Sequence, residues 1–312
     1  MPKLKALFIG QSPWGQLVLT LLLVLMGALL FQLLALATAP WFYNITYAQI
    51  GQVVQNGNGI PSSILKYVQG LSSIGTFVVP GFLAAGLLSD GPLGHLGLTR
   101  IKSTPILTFG LLLPMAWGAT AISNLLFGAY ETLPWPEAMQ GIRDWFESNE
   151  GLAQEQVNGF LQMDDFWDFA STFFLMAILP AFGEELLFRG VLQPIFTKAT
   201  RSAHIGIGVT AALFALMHLQ ISAVLPILFL GIVLGYLRYW SGKLWLSIIL
   251  HLINNGGILV ALYFFGVPYQ NEAEGLQNNI TVLLVGVAVF ALSIWAVYRF
   301  INHKKTPTIY DD

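Results

Sequence analysis

Three short stretches of this 312-residue chain place polar groups inside apolar runs. They are "FGEELLFRG" with Glu184, Glu185 and Arg189, "FALMHL" with Phe214 and His218, and "LHLINNG" with His251, Asn254 and Asn255. Carboxylate and neutral imidazole are groups that take a proton from water near neutral pH. They are also ligands of catalytic zinc, which keeps one position open for water. In the metal route imidazole and carboxylate would hold Zn2+, and a second carboxylate would take the proton of the bound water. In the metal-free route Glu and His activate water directly, while a second His and an Asn hydrogen-bond the oxyanion. Both routes end in hydrolysis of an amide bond.

Other hydrolytic chemistries lack their residues. There is no cysteine, which removes disulfides, thiolate zinc sites and a cysteine nucleophile. No serine sits in a Gly-x-Ser-x-Gly turn, and no pair of membrane aspartates is present.

Spacing divides the labour within the first stretch. Glu185 and Arg189 are four apart, so on a helix they stack on one face and can pair. Glu184 is rotated about 100° from Glu185 and is left for another task. A charge near the centre of a membrane helix costs about 2.5–3.5 kcal/mol on insertion scales, so these groups must face the bundle interior and meet partners. The run after Arg189 stays largely apolar to Lys198, which predicts about two further helical turns and places Glu184 well below the membrane surface.

The elements that must position these groups follow from composition. The chain is 55% hydrophobic and 10% charged, against about 25% charged for a soluble domain. Crossing a bilayer takes about 20 apolar residues. Eight runs qualify or nearly so: 16–39, 67–88, 105–128, 167–188, 203–218, 221–240, 244–266 and 279–301. The expected fold is an all-α, polytopic integral membrane helical bundle of about eight transmembrane helices. The first run is too long for a cleavable signal and has no small-residue cleavage site before "PWFYNITY". The fifth run is short and reads as a helix turning back part-way. The aromatic "PWFY" cluster reads as an interfacial anchor.

Charge orients the spans. Alternating across eight spans collects Lys3, Lys5, Arg100, Lys102, Lys198, Arg201, Arg238, Lys243, Arg299, Lys304 and Lys305 on one side. The other side holds Lys66 and Arg143, with Glu272, Glu274 and the acidic stretch from Ala129 to Asp168. The positive-inside rule then puts both termini in the cytoplasm. The acidic segment, about 129–166, reads as a solvated loop, with a short amphipathic helix pair acting as lid or docking element as the alternative. Sequons at Asn44 and Asn279 fall outside. A net charge of −2 gives no sign of nucleic-acid binding.

The organisation is 1–166 as N-terminal spans with the acidic loop, 167–257 as catalytic core, and 258–312 as last span and cytoplasmic tail. One feature strains this map. His251 lies seven residues after Lys243, roughly 10 Å of helix, whereas His218 lies seventeen after Arg201, roughly 25 Å. Tilted helices, or a loop at "TRSAHIG" where Gly206 and Gly208 weaken helix, would let them meet.

Taken in order, E-E-x-x-x-R (Glu184–Arg189), F-x-x-x-H (Phe214–His218) and H-x-x-x-N (His251–Asn255) resemble the motifs of the CAAX prenyl endopeptidase and bacteriocin-processing (Abi) family of intramembrane proteases. The phrases "EELLFRGVLQP" and "LWLSIILHLINN" are similar to its bacterial members, which implies a bacterial cytoplasmic membrane. The resemblance covers about 167–257. It implies Glu184 as base, His218 and His251 flanking the water, Asn255 on metal or oxyanion, and Arg189 orienting Glu185; in a Zn2+ form His218 and His251, with Glu184 or Asn255, would hold the ion. The substrate would be a protein or peptide, reached from the lipid bilayer. A proton- or cation-coupled transporter using the same groups would carry inverted repeats with broken helices, and none is visible. A non-catalytic bacteriocin-immunity protein of the same fold is the other alternative.

Overall fold

A computed structural model describes residues 8–50, 61–99, 106–132, 134–267 and 280–302. Lys3, Lys5, Arg100, Lys102, Glu272, Glu274, Asn279, Lys304 and Lys305 lie outside the described residues, as does most of the tail. Among the described residues the regular structure is helical. Nine helices carry the architecture: α1 Pro13–Phe42, α2 Ser62–Leu88, α3 Ile106–Tyr130, α4 Gln140–Leu161, α5 Phe166–Thr200, α6 Ala203–Met217, α7 Val224–Ser241, α8 Trp245–Phe265 and α9 Ile280–Asn302. Seven of these are long and apolar enough to cross a membrane, and the all-α membrane bundle is borne out.

The sequence expectation needs correcting at three elements. The fourth span runs past Phe188 to Thr200, because "GVLQPIFTKAT" keeps an apolar buried face through Ile195 and Phe196. The fifth run is the 15-residue α6, which starts directly at Ala203 with Ser202 capping Ile205 N–H at 3.3 Å. The loop proposed at "TRSAHIG" is therefore not taken. Gly206 lies inside this helix, where a Cβ would collide with Thr197, so its role is close approach of α6 to the end of α5. Finally, the acidic segment folds as the single 22-residue helix α4, preceded by a short 3-10 turn at Glu137–Met139, instead of a loop or helix pair.

Lipid-facing and core faces separate as a bilayer requires. Leu21, Leu25, Leu29 and Leu33 of α1 are all more than half exposed, so this helix is apolar all round and presents its surface to lipid. The core around α5 is tight. Leu186, Val191 and Ile195 pack on Ala84, Ala85 and Leu88 of α2 and on Leu244 and Ile248 at the start of α8. Leu187, Phe188, Leu192 and Phe196 pack on Phe214 of α6. A second core joins α3, α7, α8 and α9 through Met115, Leu234, Leu250 and Val297.

Proline shapes α5 and α2. Turns widened to the π form occur at Ile74–Val78, Phe174–Ile178 and Phe188–Leu192, and each is followed two residues on by Pro80, Pro180 or Pro194. Proline has no N–H and its ring clashes with the carbonyl four residues back, which a wider turn relieves. For Pro180 that carbonyl belongs to Met176, and it accepts a hydrogen bond from Asn255 Nδ2 of α8 at 3.3 Å.

Candidate active site

Helix α5 places Glu184 and Glu185 mid-span, between its two π turns, and Arg189 within the second of them. Glu185 and Arg189 are fully buried. Arg189 Nη1 donates to Glu185 Oε1 at 2.7 Å, as the four-residue spacing predicts. Arg189 Nη2 reaches the carbonyl of Gly231 on α7 at 3.1 Å, and the guanidinium lies 4.4 Å from the Phe214 ring centroid. Four residues further on, buried Gln193 donates to the carbonyl of Gly235 at 3.1 Å. Side chains at 189 and 193 thus meet carbonyls at 231 and 235, two four-residue steps in register.

Glycine at both positions lets α7 lie close against α6, since a Cβ on Gly231 would press on Ala211 and one on Gly235 would strike Ile207; the latter would also crowd the Gln193 side chain. Gln193, Gly231 and Gly235 were not singled out from the sequence. The four-residue spacing of Glu185, Arg189 and Gln193 was the available signal.

Helix α8 brings His251 and Asn255 to the same place. His251 is 3% exposed, and its Nδ1 lies 3.0 Å from Glu185 Oε1, the oxygen that Arg189 also binds. Its Nε2 lies 3.2 Å from Asn255 Nδ2 and 3.9 Å from Glu184 Oε2. An amide nitrogen only donates, so Nε2 carries the lone pair and Nδ1 the proton given to Glu185. Asn255 directs both amide hydrogens, one to His251 and one to Met176, and its Oδ1 accepts from Asn254 at 3.2 Å.

Glu184 points away from Arg189, as its helical position implies. Its Oε2 is buried and lacks a hydrogen-bond partner among the described residues, as do Glu185 Oε2 and Arg189 Nε.

His218 closes α6. Its backbone N–H caps the helix on Ala215, and its Nδ1 lies 2.8 Å from the Phe214 carbonyl, which only accepts. Its Nε2 therefore also bears a lone pair. Phe214 is the aromatic hub, with its ring centroid 4.8 Å from that of His218 and 6.0 Å from that of His251. The polar set thus grades from the buried Glu185–Arg189 pair to exposed His218. Leu219, next in the chain, has φ 52°, a left-handed conformation that a leucine adopts only under constraint. Ser222 N–H in this loop donates to Glu150 Oε1 of the acidic helix α4 at 3.0 Å.

Among the described residues, no group of three or more His, Asp or Glu side chains is gathered closely enough to hold a metal ion. The individual donors suit zinc, since each histidine offers Nε2 while Nδ1–H is held by a carboxylate or carbonyl. The set as placed does not form a three-ligand site, and no step below passes through a metal.

Residues 166–257 match the family model described as type II CAAX prenyl endopeptidase Rce1-like. This stretch contains all of Glu184, Glu185, Arg189, Phe214, His218, His251 and Asn255, and the match bears out the resemblance read from the three motifs. No curated protein and no solved structure matches the chain.

Proposed function

Starting from a segment that matches the CAAX prenyl endopeptidases, we propose that this integral membrane protein is an intramembrane endopeptidase whose base is Glu184. One observation carries the reading. Glu184 Oε2, buried and without a hydrogen-bond partner among the described residues, stands 3.9 Å from His251 Nε2. Two acceptors so placed repel unless a donor lies between them, and a water that takes over the Nε2 lone pair from the long 3.2 Å bond of Asn255 would hydrogen-bond to both. Such a water presents its oxygen to a peptide carbonyl while both protons are held by bases.

Hydrolysis then runs in two steps. Glu184 takes one proton as the water oxygen bonds to the carbonyl carbon. That proton passes to the leaving nitrogen as the C–N bond breaks. The bonds from Asn255 Nδ2, 3.2 and 3.3 Å long, are weak enough for the oxyanion to compete for them. His218, at the exposed mouth, contributes a further Nε2 to the water or the scissile group. The Glu185 carboxylate holds His251 in the tautomer that keeps Nε2 basic, and Arg189 fixes Glu185. The basic ends of the spans set the orientation, with both termini in the cytoplasm of a bacterial cell.

A zinc-assisted form of the same hydrolysis is the second reading, favoured by the shared Nδ1-anchored state of His218 and His251. Zinc held by these two with Glu184 or Asn255 would supply an acidified water.

The test is cleavage of a quenched peptide library by purified protein in detergent, alongside Glu184→Gln and His218→Ala. Both substitutions should abolish turnover, with Glu184→Gln leaving the melting temperature unchanged. Equal turnover in wild type and both variants would remove the hydrolase reading.

A further inference from the structure

The two ends of the bundle differ in what their charges do. At one end the 95–99 segment meets the α7–α8 connection: Arg238 Nη2 donates to the His95 carbonyl at 3.1 Å, Lys243 Nζ reaches Thr99, and Leu244 N–H bonds Gly97 O. Basic residues collect there. At the opposite end stands Lys66 in the first turns of α2, only 8% exposed and the one lysine found at that end among the described residues. Burying a cation where the chain otherwise avoids cations calls for a ligand or a partner.

The protein's own partners answer Lys66 only in part. Nζ donates to Ser171 Oγ at 3.3 Å, one of its three donors, and Asp168 Oδ1 stands at 4.0 Å, beyond hydrogen-bond reach. Asp168 is half-exposed, and Ser171 turns its own hydroxyl proton to the Asp168 carbonyl at 2.9 Å. Between these groups lies a cavity of about 310 Å³, lined by Lys66, Ser62, Ser63, Asp168, Tyr43 and Tyr67 among others. The Tyr43 and Tyr67 rings stand 5.6 Å apart, with the Tyr67 hydroxyl held by Thr38 Oγ1 at 2.7 Å. The lining therefore offers an ammonium, two serine residues, a carboxylate 4.0 Å from the ammonium, and aromatic rings, whose faces attract a cation.

We propose that this cavity binds the headgroup of a zwitterionic phospholipid of the phosphoethanolamine type. The phosphate meets Lys66, Ser62 and Ser63, and the ammonium, joined to it by an ethylene bridge, meets Asp168 and the two tyrosines. A lone phosphate would satisfy Lys66 and leave Asp168 facing a second negative charge. The apolar exterior beside the cavity suits acyl chains, since Trp41, Phe42 and Phe174 are exposed at 74%, 68% and 47%. Ser171 and Asp168 lie on α5 itself, thirteen and sixteen residues from Glu184 and so about 20 and 24 Å along the helix axis. The headgroup thus ties down the far end of the helix that carries the proposed base, without reaching the reacting atoms.

Binding is read without any assay of proteolysis, so this proposal stands or falls separately from the one above. Full-length protein in detergent is titrated with dihexanoylphosphatidylethanolamine, dihexanoylphosphatidylglycerol and free phosphoethanolamine, with occupancy followed by native mass spectrometry. Saturable binding is expected for the ethanolamine lipid, about tenfold tighter than for the glycerol lipid. Free phosphoethanolamine should not bind. Lys66→Met should weaken the ethanolamine lipid by at least about tenfold while Lys66→Arg retains it, and Asp168→Asn should erase the preference between the two lipids. Equal affinities in the wild type, an unchanged Lys66→Met, or free phosphoethanolamine binding as well as the lipid would each overturn the proposal. Should Lys66→Met fail to fold, Asp168→Asn decides: a preference that survives it overturns the assignment.

Discussion

His251 and Glu185, 66 residues apart in the chain, are joined by a 3.0 Å hydrogen bond at the buried centre of the bundle. The accepting oxygen also takes Arg189 Nη1 at 2.7 Å. Glu185 therefore couples the helix bearing the proposed base to the imidazole facing it. A glutamate four residues before an arginine is thus more than a means of burying the arginine.

Glu185→Gln should separate these two duties. The amide can turn its nitrogen towards His251, reversing the tautomer and taking the lone pair from Nε2. Turnover should fall about 10²–10⁴-fold. Single-turnover peptide cleavage, with circular dichroism to verify the fold, measures the effect. Turnover within a factor of two of wild type would mean that the tautomer lock is irrelevant.

Arg189→Met removes the cation and leaves Glu185 with His251 alone. Breaking a buried pair from one side destabilises by about 3–5 kcal/mol, so the melting temperature in detergent should drop along with activity. Arg189→Lys keeps the charge but loses the fork that reaches Gly231, and should fall between. An inactive Arg189→Met protein of wild-type stability would instead assign the arginine a direct part in the chemistry.

The spans and the Glu185–Arg189 pair were legible because each obeys a local rule: bilayer thickness for one, the helical repeat for the other. Partnerships across helices were not. Nothing near Glu185 in the chain announces His251, and nothing near Phe214 announces that its ring lies beside Arg189 and both histidines. Arg238 counted as a surface cation in the charge map, yet it is fully buried against the His95 carbonyl, because a short segment folds over it. Gly206 weakens helix by intrinsic propensity. A bilayer leaves helix as the low-energy state for its backbone, and its missing side chain serves contact with Thr197.

Chelation distinguishes the two hydrolytic readings. With no three-ligand group gathered among the described residues, peptide cleavage should survive prolonged EDTA and 1,10-phenanthroline. Loss of activity restored by added Zn2+, with metal retained in wild type and absent from His218→Ala, would favour the zinc-assisted form.

Stability should respond to acid through His95, which lies outside the membrane spans. Burial, reinforced by the positive charges of Lys198 and Arg238, lowers its pKa from 6.5 to about 4. The folded state thus resists a proton that the unfolded state accepts, so its contribution is complete above pH 6.5 and is lost as pH falls towards 4. Melting curves in detergent across this range should show His95→Gln losing less stability than wild type. Parallel curves for the two would refute the assignment.

The widened turn ahead of Pro180 has a consequence for gearing. A π turn accommodates one residue more than the α-helical ladder, so it holds everything downstream about 100° behind the azimuth an unbroken α-helix would give. That is also the angle separating adjacent residues, and hence Glu184 from Glu185. Winding α5 as an unbroken α-helix with every residue retained would turn Glu184 by about 100°, onto the bearing that Glu185 now holds, and carry Glu185 past it. Which of two chemically identical neighbours faces the histidine lone pair is decided by a proline and the one surplus residue stored before it.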